Sequence, residues 1–226
     1  MRIVSWNCNG ALRRKLHKLS GLNADVYIIQ ECEDPGRSSD SAYRQWALGA
    51  LWVGSNKNKG LGVFSSGVRL SALDWPRDNL ELFLPFTADE QLMVLAVWTR
   101  QTNSPNFRYI GQAWKYLQAH GSLVIGDFNS NPRWDQWDRW WNHSDVVRDL
   151  SEIGLESVYH LKYQEAHGSE TQPTFFMYRK TEKPYHIDYA FASGDITASA
   201  RISVGLPEVW LESSDHMPII LDFEMP

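Results

Sequence analysis

The chain of 226 residues is 43% hydrophobic and 22% charged, the balance of a globular protein with a large core, which excludes a disordered or fibrous chain. Its 22 basic and 27 acidic side chains leave a net charge of −5. No overall positive field therefore draws in polyanions, and a nucleic-acid substrate has to be met by a local patch or a bound cation.

The length suits one folding unit, so residues 1–226 are expected to form a single domain, with no linker-like stretch among them. Cys8 and Cys32 are too few for a disulfide scaffold. The opening "MRIVSWNCNG" is too short and too polar for the apolar core of a signal peptide, and no apolar run approaches the roughly 20 residues that cross a bilayer. The cytoplasm is the expected location.

In chain order, "RIVSWN" (2 to 7) reads as a strand, followed by a basic helix-like stretch, "ALRRKLHKLSGL". "ADVYIIQE" (24 to 31) is almost wholly apolar, which predicts a strand buried on both faces. The runs "LGVFSS" (61 to 66), "LELFLPF" (80 to 86) and "QLMVLAVWT" (91 to 99) are strand-like, and their turn-separated spacing predicts an antiparallel meander. "RYIGQAWKYLQAH" (108 to 120) has Ile110, Trp114 and Leu117 at helical spacing, stopped by Gly121. A further strand, "SLVIGDFN", ends at Asp127. After Pro132, "RWDQWDRWW" places Trp134, Trp137 and Trp141 on one helical face, expected to lie in the core, while an exposed Trp140 would sit where substrate is gripped. "HIDYAFAS" (186 to 193) and "PIILDFEM" (218 to 225) complete the strands, the latter preceded by "SSDH". Mixed strands and helices with many consecutive strands predict an α/β or α+β sandwich, its sheets buried between helices.

Polar residues collect where these strands end: Asn7, Asn9, Glu31, Asp127, Asn129, Asp188, Asp215 and His216. Singly, each reads as a turn-former. Together, ionised carboxylates at converging strand ends repel one another unless a cation or a shared proton compensates them. Oxygen ligands without a Cys or His pair at zinc spacing point to a hard divalent ion, Mg²⁺ with Mn²⁺ as a possible substitute. Glu31 and Asp215, with a substrate phosphate, would suffice to hold it. Hydrolysis of a phosphate ester then needs an activated in-line water and neutralised equatorial charge. On this reading Asp127 orients or deprotonates the water, and Asn129 holds the water or a phosphoryl oxygen. A cationic His216 bonds a non-bridging oxygen, and Asp188 fixes its tautomer and raises its pKa.

"SWNCNG", "IIQE", "GDFN", "HIDYAF" and "SSDHMPI", in this order along the whole chain, resemble the motif series of the endonuclease/exonuclease/phosphatase superfamily, and of the exonuclease III-like nucleases within it. The resemblance implies a four-layered αββα sandwich of two mixed, mainly antiparallel sheets, with Mg²⁺-dependent phosphoester hydrolysis where the strand ends of both sheets meet. It implies Asn7 and Glu31 on the metal side, Asp127 and Asn129 handling water and phosphate, Asp188 supporting the histidine, and Asp215 with His216 as the terminal Asp-His. Asn9 matches a position that is Asn or Asp in the nucleases. The chain departs from the pattern after "LMVLAVW", where such nucleases usually present a Tyr or His to the phosphate. Here Trp98 and Thr99 stand at that place, with Arg100 and Tyr109 as nearby substitutes.

Arg2, Arg13, Arg14, Lys15 and Lys18 form a basic stretch that reads first as a solvated face and second as a phosphate-tracking patch, which "NKNKG", Arg179, Lys180 and Lys183 would extend. His17, His120, His143, His160 and His167 show no metal-ligand spacing and read as surface or capping residues. His186, two positions before Asp188 on a strand, is expected to point the same way as that carboxylate. Both cysteines read as small buried side chains.

The expectation is therefore a Mg²⁺-dependent phosphodiesterase, a nuclease acting on DNA by direct attack of water with no covalent intermediate. The alternatives are a phosphomonoesterase on an inositol phosphate or a nucleotide, and a catalytically inactive binding module of the same fold. The chain is shorter than familiar abasic-site endonucleases, which keeps single-stranded or small nucleotide substrates in view.

Overall fold

Side chains along a strand alternate between two faces, and in this chain both faces of the central strands are apolar. The computed structural model describes residues 1–75, 81–99, 122–138 and 142–225. Its strands are β1 (Arg2–Asn7), β2 (Val26–Cys32), β3 (Leu51–Asn56), β4 (Lys59–Ser65), β5 (Leu70–Ala72), β6 (Phe83–Ala88), β7 (Leu92–Trp98), β8 (Leu123–Asp127), β9 (Glu156–Ser157), β10 (Phe175–Phe176), β11 (Pro184–Tyr185), β12 (Asp188–Ala192), β13 (Arg201–Val204) and β14 (Ile219–Asp222). One six-stranded sheet has the order β13-β14-β1-β2-β4-β3 and the other β5-β6-β7-β8-β12-β9, while β10 and β11 make a two-stranded ribbon. Each large sheet holds one parallel pair, β1 with β2 and β7 with β8, and its other neighbours are antiparallel.

Three apolar layers follow from the alternation. Ile3, Val26, Ile28, Leu61 and Val63 of the first sheet pack against Phe86, Val94, Ala96, Leu123, Ile125 and Ala190 of the second. The opposite faces of β1, β2 and β4, carrying Val4, Trp6, Tyr27, Ile29 and Phe64, pack with Leu19, Tyr43 and Trp210. Those three belong to the short helices Leu16–Ser20, Ser41–Trp46 and Pro207–Trp210. On the far side, Val97, Val124, Tyr189 and Phe191 meet Val146 and Leu150 of the helix His143–Glu152, whose first turn is closed by Asp145 accepting from the Asn142 N–H at 2.8 Å. The layers run helices, sheet, sheet, helix. The all-apolar run of β2 is thus accounted for, since both of its faces are covered. Truncating any one of these buried aliphatic side chains to Ala is expected to destabilise by about 2–5 kcal/mol. Among the described residues no helix is long and apolar enough to cross a membrane.

Several sequence expectations need correction. The strand β4 does not join a meander with β6 and β7. It pairs with β2 and β3 in the other sheet, and the meander is β5-β6-β7. A period of two is the same in both sheets, so alternation cannot tell which sheet a strand enters. The basic stretch after β1 is not one helix. Ala11 is left-handed (φ 52) and Lys15 separates a 3-10 turn, Leu12–Arg14, from the five-residue helix Leu16–Ser20. The tryptophan face also fails: Pro132–Trp134 is a single 3-10 turn, Trp134 packs against Tyr185 at 4.9 Å, and Trp137 is 98% exposed rather than core. Arg100, Tyr109, the helix expected over 108–120, Trp140 and Trp141 lie outside the described residues.

Candidate active site

The inward-facing positions of three strands end in polar groups at the same rim. Ile3 faces the second sheet, so Ser5 and Asn7 of β1 do as well. Leu123 and Ile125 face inward, so does Asp127, and Ala190 carries Asp188 with it. Asp127 and Asp188 stand opposite each other in the β8–β12 register. Across the sandwich, Asn7 Nδ2 donates to Asp127 Oδ2 at 2.9 Å. The apolar stripe between the sheets therefore finishes in an amide and two carboxylates, all of them buried.

The turn after β8 aims Asn129 back at Asp127. The Asn129 N–H donates to Asp127 Oδ1 at 2.8 Å, and its Nδ2 donates to Asp127 Oδ2 at 3.1 Å and to the Thr99 carbonyl at 2.6 Å. Thr99 Oγ1 donates to the Phe128 carbonyl, clamping the end of β7 to the same turn. Asn129 is left-handed (φ 48), as is Asn9 (φ 52), a conformation that asparagine tolerates well. Glu31 shares it (φ 61) at the bulge inside β2 between Gln30 and Cys32, which is unusual for a glutamate and re-aims its side chain. Gly126 has φ 150, and a Cβ there would run into the Val97 carbonyl of β7, so the glycine of "GDFN" is a condition of the parallel pairing.

His216 is held by its own backbone neighbourhood. Its N–H donates to Ser214 Oγ at 3.0 Å, Ser214 Oγ donates to the Asn7 carbonyl at 2.7 Å, and Trp6 Nε1 donates to the His216 carbonyl at 3.0 Å. Thr174 Oγ1 accepts from the N–H groups of Ile187 and Asp188, and its carbonyl accepts from Met217 N–H, tying β12 to the histidine segment. Within this frame His216 Nδ1 bonds Asp188 Oδ2 at 3.0 Å, and Nε2 lies 3.9 Å from Asp127 Oδ2. Burial alone would lower the His216 pKa, but the charges of Asp188 and Asp127 outweigh it and raise the ring to about 9. Burial raises Asp127 to about 7 against the opposing pull of His216. The imidazolium is thus the stable form at neutral pH, beside a carboxyl that takes up a proton far more readily than an exposed one.

The other candidates lie around this centre in two separate pairs. Asn9 Nδ2 donates to Asp215 Oδ1 at 2.8 Å, and Asn9 N–H donates to Asn7 Oδ1 at 3.0 Å. Glu31 Oε2 pairs with Lys59 Nζ at 2.6 Å, and that ammonium lies 6.0 Å from the Trp98 ring centroid. Asn7, Asp127, Asn129, Asp188 and His216 therefore form one network, Asn9 and Asp215 attach to it through Asn7, and Glu31 stands on the neighbouring strand. A divalent cation is implied by the fold, and the residues fit one in kind. Asn7, Asn9, Glu31 and Asp215 offer only oxygen donors, the preference of a hard ion, and Lys59 already supplies Glu31 with a positive counter-charge. Asp127, Asp188 and His216 also bring donor atoms within 4.8 Å of one another, but a protonated histidine has no lone pair to give.

Sequence reasoning missed Thr174 and Ser214, and it named Thr99 only as a departure from the nuclease pattern; all three act through backbone contacts that no residue type announces. It had placed Lys59 in a basic patch without seeing its pairing with Glu31. Much of the basic stretch is structural: Arg2 bonds Asp222, Arg13 bonds Glu33, and Lys18 bonds the Val209 carbonyl. Lys15 Nζ, bonded to the Cys8 carbonyl at 2.5 Å, remains beside Asn9. Cys8 and Cys32 are buried free thiols. His143, His160 and His167 are neither surface nor capping residues but members of one cluster with His186, which does not point with Asp188. It precedes the first residue of β12, and its ring packs with Tyr159 and His160.

The sequence profile of the Endonuclease/Exonuclease/phosphatase family matches residues 4–216. None of the curated proteins matches the sequence significantly. Among solved structures, the chain is similar to a 3′-5′ exonuclease (NExo) from Neisseria meningitidis, with 22% identity and a TM-score of 0.72 over 99% of this chain and 100% of that one. It is similar to a Neisseria 3′ phosphatase NExo bound to a product DNA hairpin, with 20% identity, a TM-score of 0.72 and 99% of each chain covered. An AP endonuclease from Archaeoglobus fulgidus gives 19% identity and a TM-score of 0.73, again over 99% of each chain. With the profile spanning nearly all of both sheets and the buried Asp127–His216–Asp188 chain at their rim, the protein belongs to the endonuclease/exonuclease/phosphatase family of metal-dependent phosphoesterases.

Proposed function

We propose that the protein is a Mg²⁺-dependent nuclease that hydrolyses phosphodiesters of DNA by in-line attack of water, with Mn²⁺ as a substitute ion. The observation that carries this reading is the buried Asp188–His216–Asp127 chain, in which one carboxylate keeps the ring cationic and the other is held by two amides. Asp127, fixed by Asn7 and Asn129, orients the water and takes its proton. Nε2–H of His216 is too far from Asp127 for a hydrogen bond and serves a non-bridging phosphoryl oxygen, while Nδ1–H stays on Asp188. Asn129 also steadies the phosphoryl group. Glu31, Asp215, Asn7 and Asn9 hold the cation, which supplies charge neutralisation for the phosphate and the leaving oxygen.

The ribbon of β10 and β11 extends from the site, since Phe175 bridges to His216. Its tip carries Tyr178, 76% exposed, with Lys183 over the ring at 5.5 Å, together with exposed Arg179 and Lys180. An aromatic ring among cations on a rim suits a nucleic-acid strand, whose bases stack and whose phosphates pair. Among the similar structures, the Neisseria 3′ phosphatase is bound to a product DNA hairpin. Their mutual coverage gives an AP endonuclease of about this chain's length, so length does not argue against a duplex. Residues 1–226 act as one unit on this reading, because the site needs both sheets, and the two free thiols suit a reducing cytoplasm.

The test is an Mg²⁺-dependent screen of labelled single-stranded, double-stranded, abasic and 3′-phosphorylated DNA and of RNA, beside inositol and nucleotide monophosphates. Release of phosphate from the small esters with every oligonucleotide left intact would overturn the reading.

A further inference from the structure

On the outer side of the second sheet, behind the loop that follows β8, the chain gathers four histidines around Glu170. His160 Nε2 lies 3.2 Å from Glu170 Oε1, and the His160 and His167 rings are 3.4 Å apart, centroid to centroid. Donor atoms of His160, His167 and Glu170 all fall within 4.8 Å of one another. Among the described residues, His143 Nε2, His167 Nδ1 and His186 Nε2 are buried and make no hydrogen bond, and His143 and His186 are almost wholly enclosed. Buried donors and acceptors are nearly always satisfied, so three such ring nitrogens in one cluster leave room for a ligand.

The cluster has the chemistry of a metal site. Glu170 has its carboxylate oriented by Asn131 Nδ2 and by Gly168 N–H, and His160 Nδ1 is fixed by Ser157 Oγ at 2.7 Å. These are the outer contacts that set the tautomer and direction of a ligand. The 3.2 Å between His160 Nε2 and Glu170 Oε1 is close to the ligand–ligand edge of about 3.3 Å expected of a tetrahedral ion with bonds of about 2.0 Å. A cavity of about 610 Å³, lined by Ser157, His160, Gln164 and His167 among others, opens on the cluster and gives an ion a way in.

We propose that His160, His167 and Glu170 bind a divalent first-row transition ion, zinc best of all, with the fourth position filled by water from the cavity or by His186. Two nitrogens and a carboxylate are a borderline donor set, distinct from the all-oxygen rim where magnesium belongs. Ligation separates the stacked His160 and His167 rings. The ion's role is positional. Asn131 bonds Glu170, the His186 carbonyl and Tyr189 Oη, and Ser130 Oγ bonds His143 Nδ1 at 2.7 Å. The loop that leaves Asp127 and Asn129 is thereby anchored in the cluster, and an ion there stiffens it from behind.

The test uses the whole protein, stripped with a chelator and reloaded with Zn²⁺ or Co²⁺ in excess Mg²⁺, which fills the rim. One equivalent is expected to stay bound after gel filtration, and Co²⁺ should show the intense visible absorption of a tetrahedral site. His167→Ala and Glu170→Gln should each lose more than about tenfold in affinity with unchanged far-UV circular dichroism, while Asp215→Asn keeps the ion. Wild-type protein that retains no Co²⁺ overturns the proposal. So does an ion removed by Asp215→Asn but kept by Glu170→Gln. If His167→Ala does not fold, wild-type stoichiometry and Glu170→Gln decide the matter alone.

Discussion

Asn7 and Asp127 are 120 positions apart, and the hydrogen bond of 2.9 Å between Nδ2 and Oδ2 joins one sheet to the other at the centre of the site. The nuclease reading rests on this contact and on the histidine beside it, and each of its parts makes a measurable claim.

Asp127→Asn keeps the shape of the side chain and removes the base. Hydrolysis in Mg²⁺ should fall at least about 100-fold in kcat, the low end for losing general base help. A smaller loss of activity in steady-state assays would remove Asp127 from the proposed role.

Activity should require Asp127 ionised and His216 protonated. Burial raises the first to about 7, and the charge of Asp188 helps raise the second to about 9. The rate should therefore climb through neutrality and decline on the alkaline side. Asp188→Asn removes a charge that raises the ring's pKa, so the alkaline decline should move to lower pH. A profile of kcat/KM against pH whose alkaline limb stays in place would show that Asp188 does other work.

Lys59 neutralises Glu31 at 2.6 Å on a side chain that is 44% exposed. An ion binding Glu31 has to displace this ammonium. Exposed pairs contribute about 0.2–1 kcal/mol, so Lys59→Met should lower the half-saturating Mg²⁺ concentration by up to about fivefold. A raised Mg²⁺ requirement in a titration of activity would assign Lys59 to the phosphate instead.

Thr174→Val deletes the acceptor of two buried N–H groups, Ile187 and Asp188. Each group left unsatisfied costs about 1–3 kcal/mol. A chain of this length loses about 2–4 °C per kcal/mol, so differential scanning should show a drop of several degrees. An unchanged midpoint would mean that Thr174 is not the latch described.

Residue types alone singled out Asn7, Asp127, Asn129, Asp188 and His216, which the fold brings into one hydrogen-bonded network. A carboxylate after an apolar strand is legible because burying it is unfavourable without a partner, and four such carboxylates with three asparagines and a histidine at strand ends weakened the reading of each as a turn-former. The sandwich was legible for the same reason, through β2 and β8 with both faces apolar. The strand β4 was misassigned because sheet membership depends on where the loop after Ser65 carries the chain. The histidine cluster was missed because His143 and His160 come from two helices, His143–Glu152 and Val158–Tyr163, His167 from a loop and His186 from the approach to β12, and their linear spacing carries no trace of it. Trp137 misled because aromatic spacing imitates an amphipathic helix even where a 3-10 turn and a bend intervene.

The pairing of β1 with β14 sets a timetable for the catalyst. Asn7 closes β1, whereas Asp215 and His216 come just ahead of β14, the strand that docks beside it. A nascent chain that has completed every earlier strand still lacks the imidazolium and one carboxylate. The proposed site is therefore complete only once β14 has docked beside β1 within the first sheet.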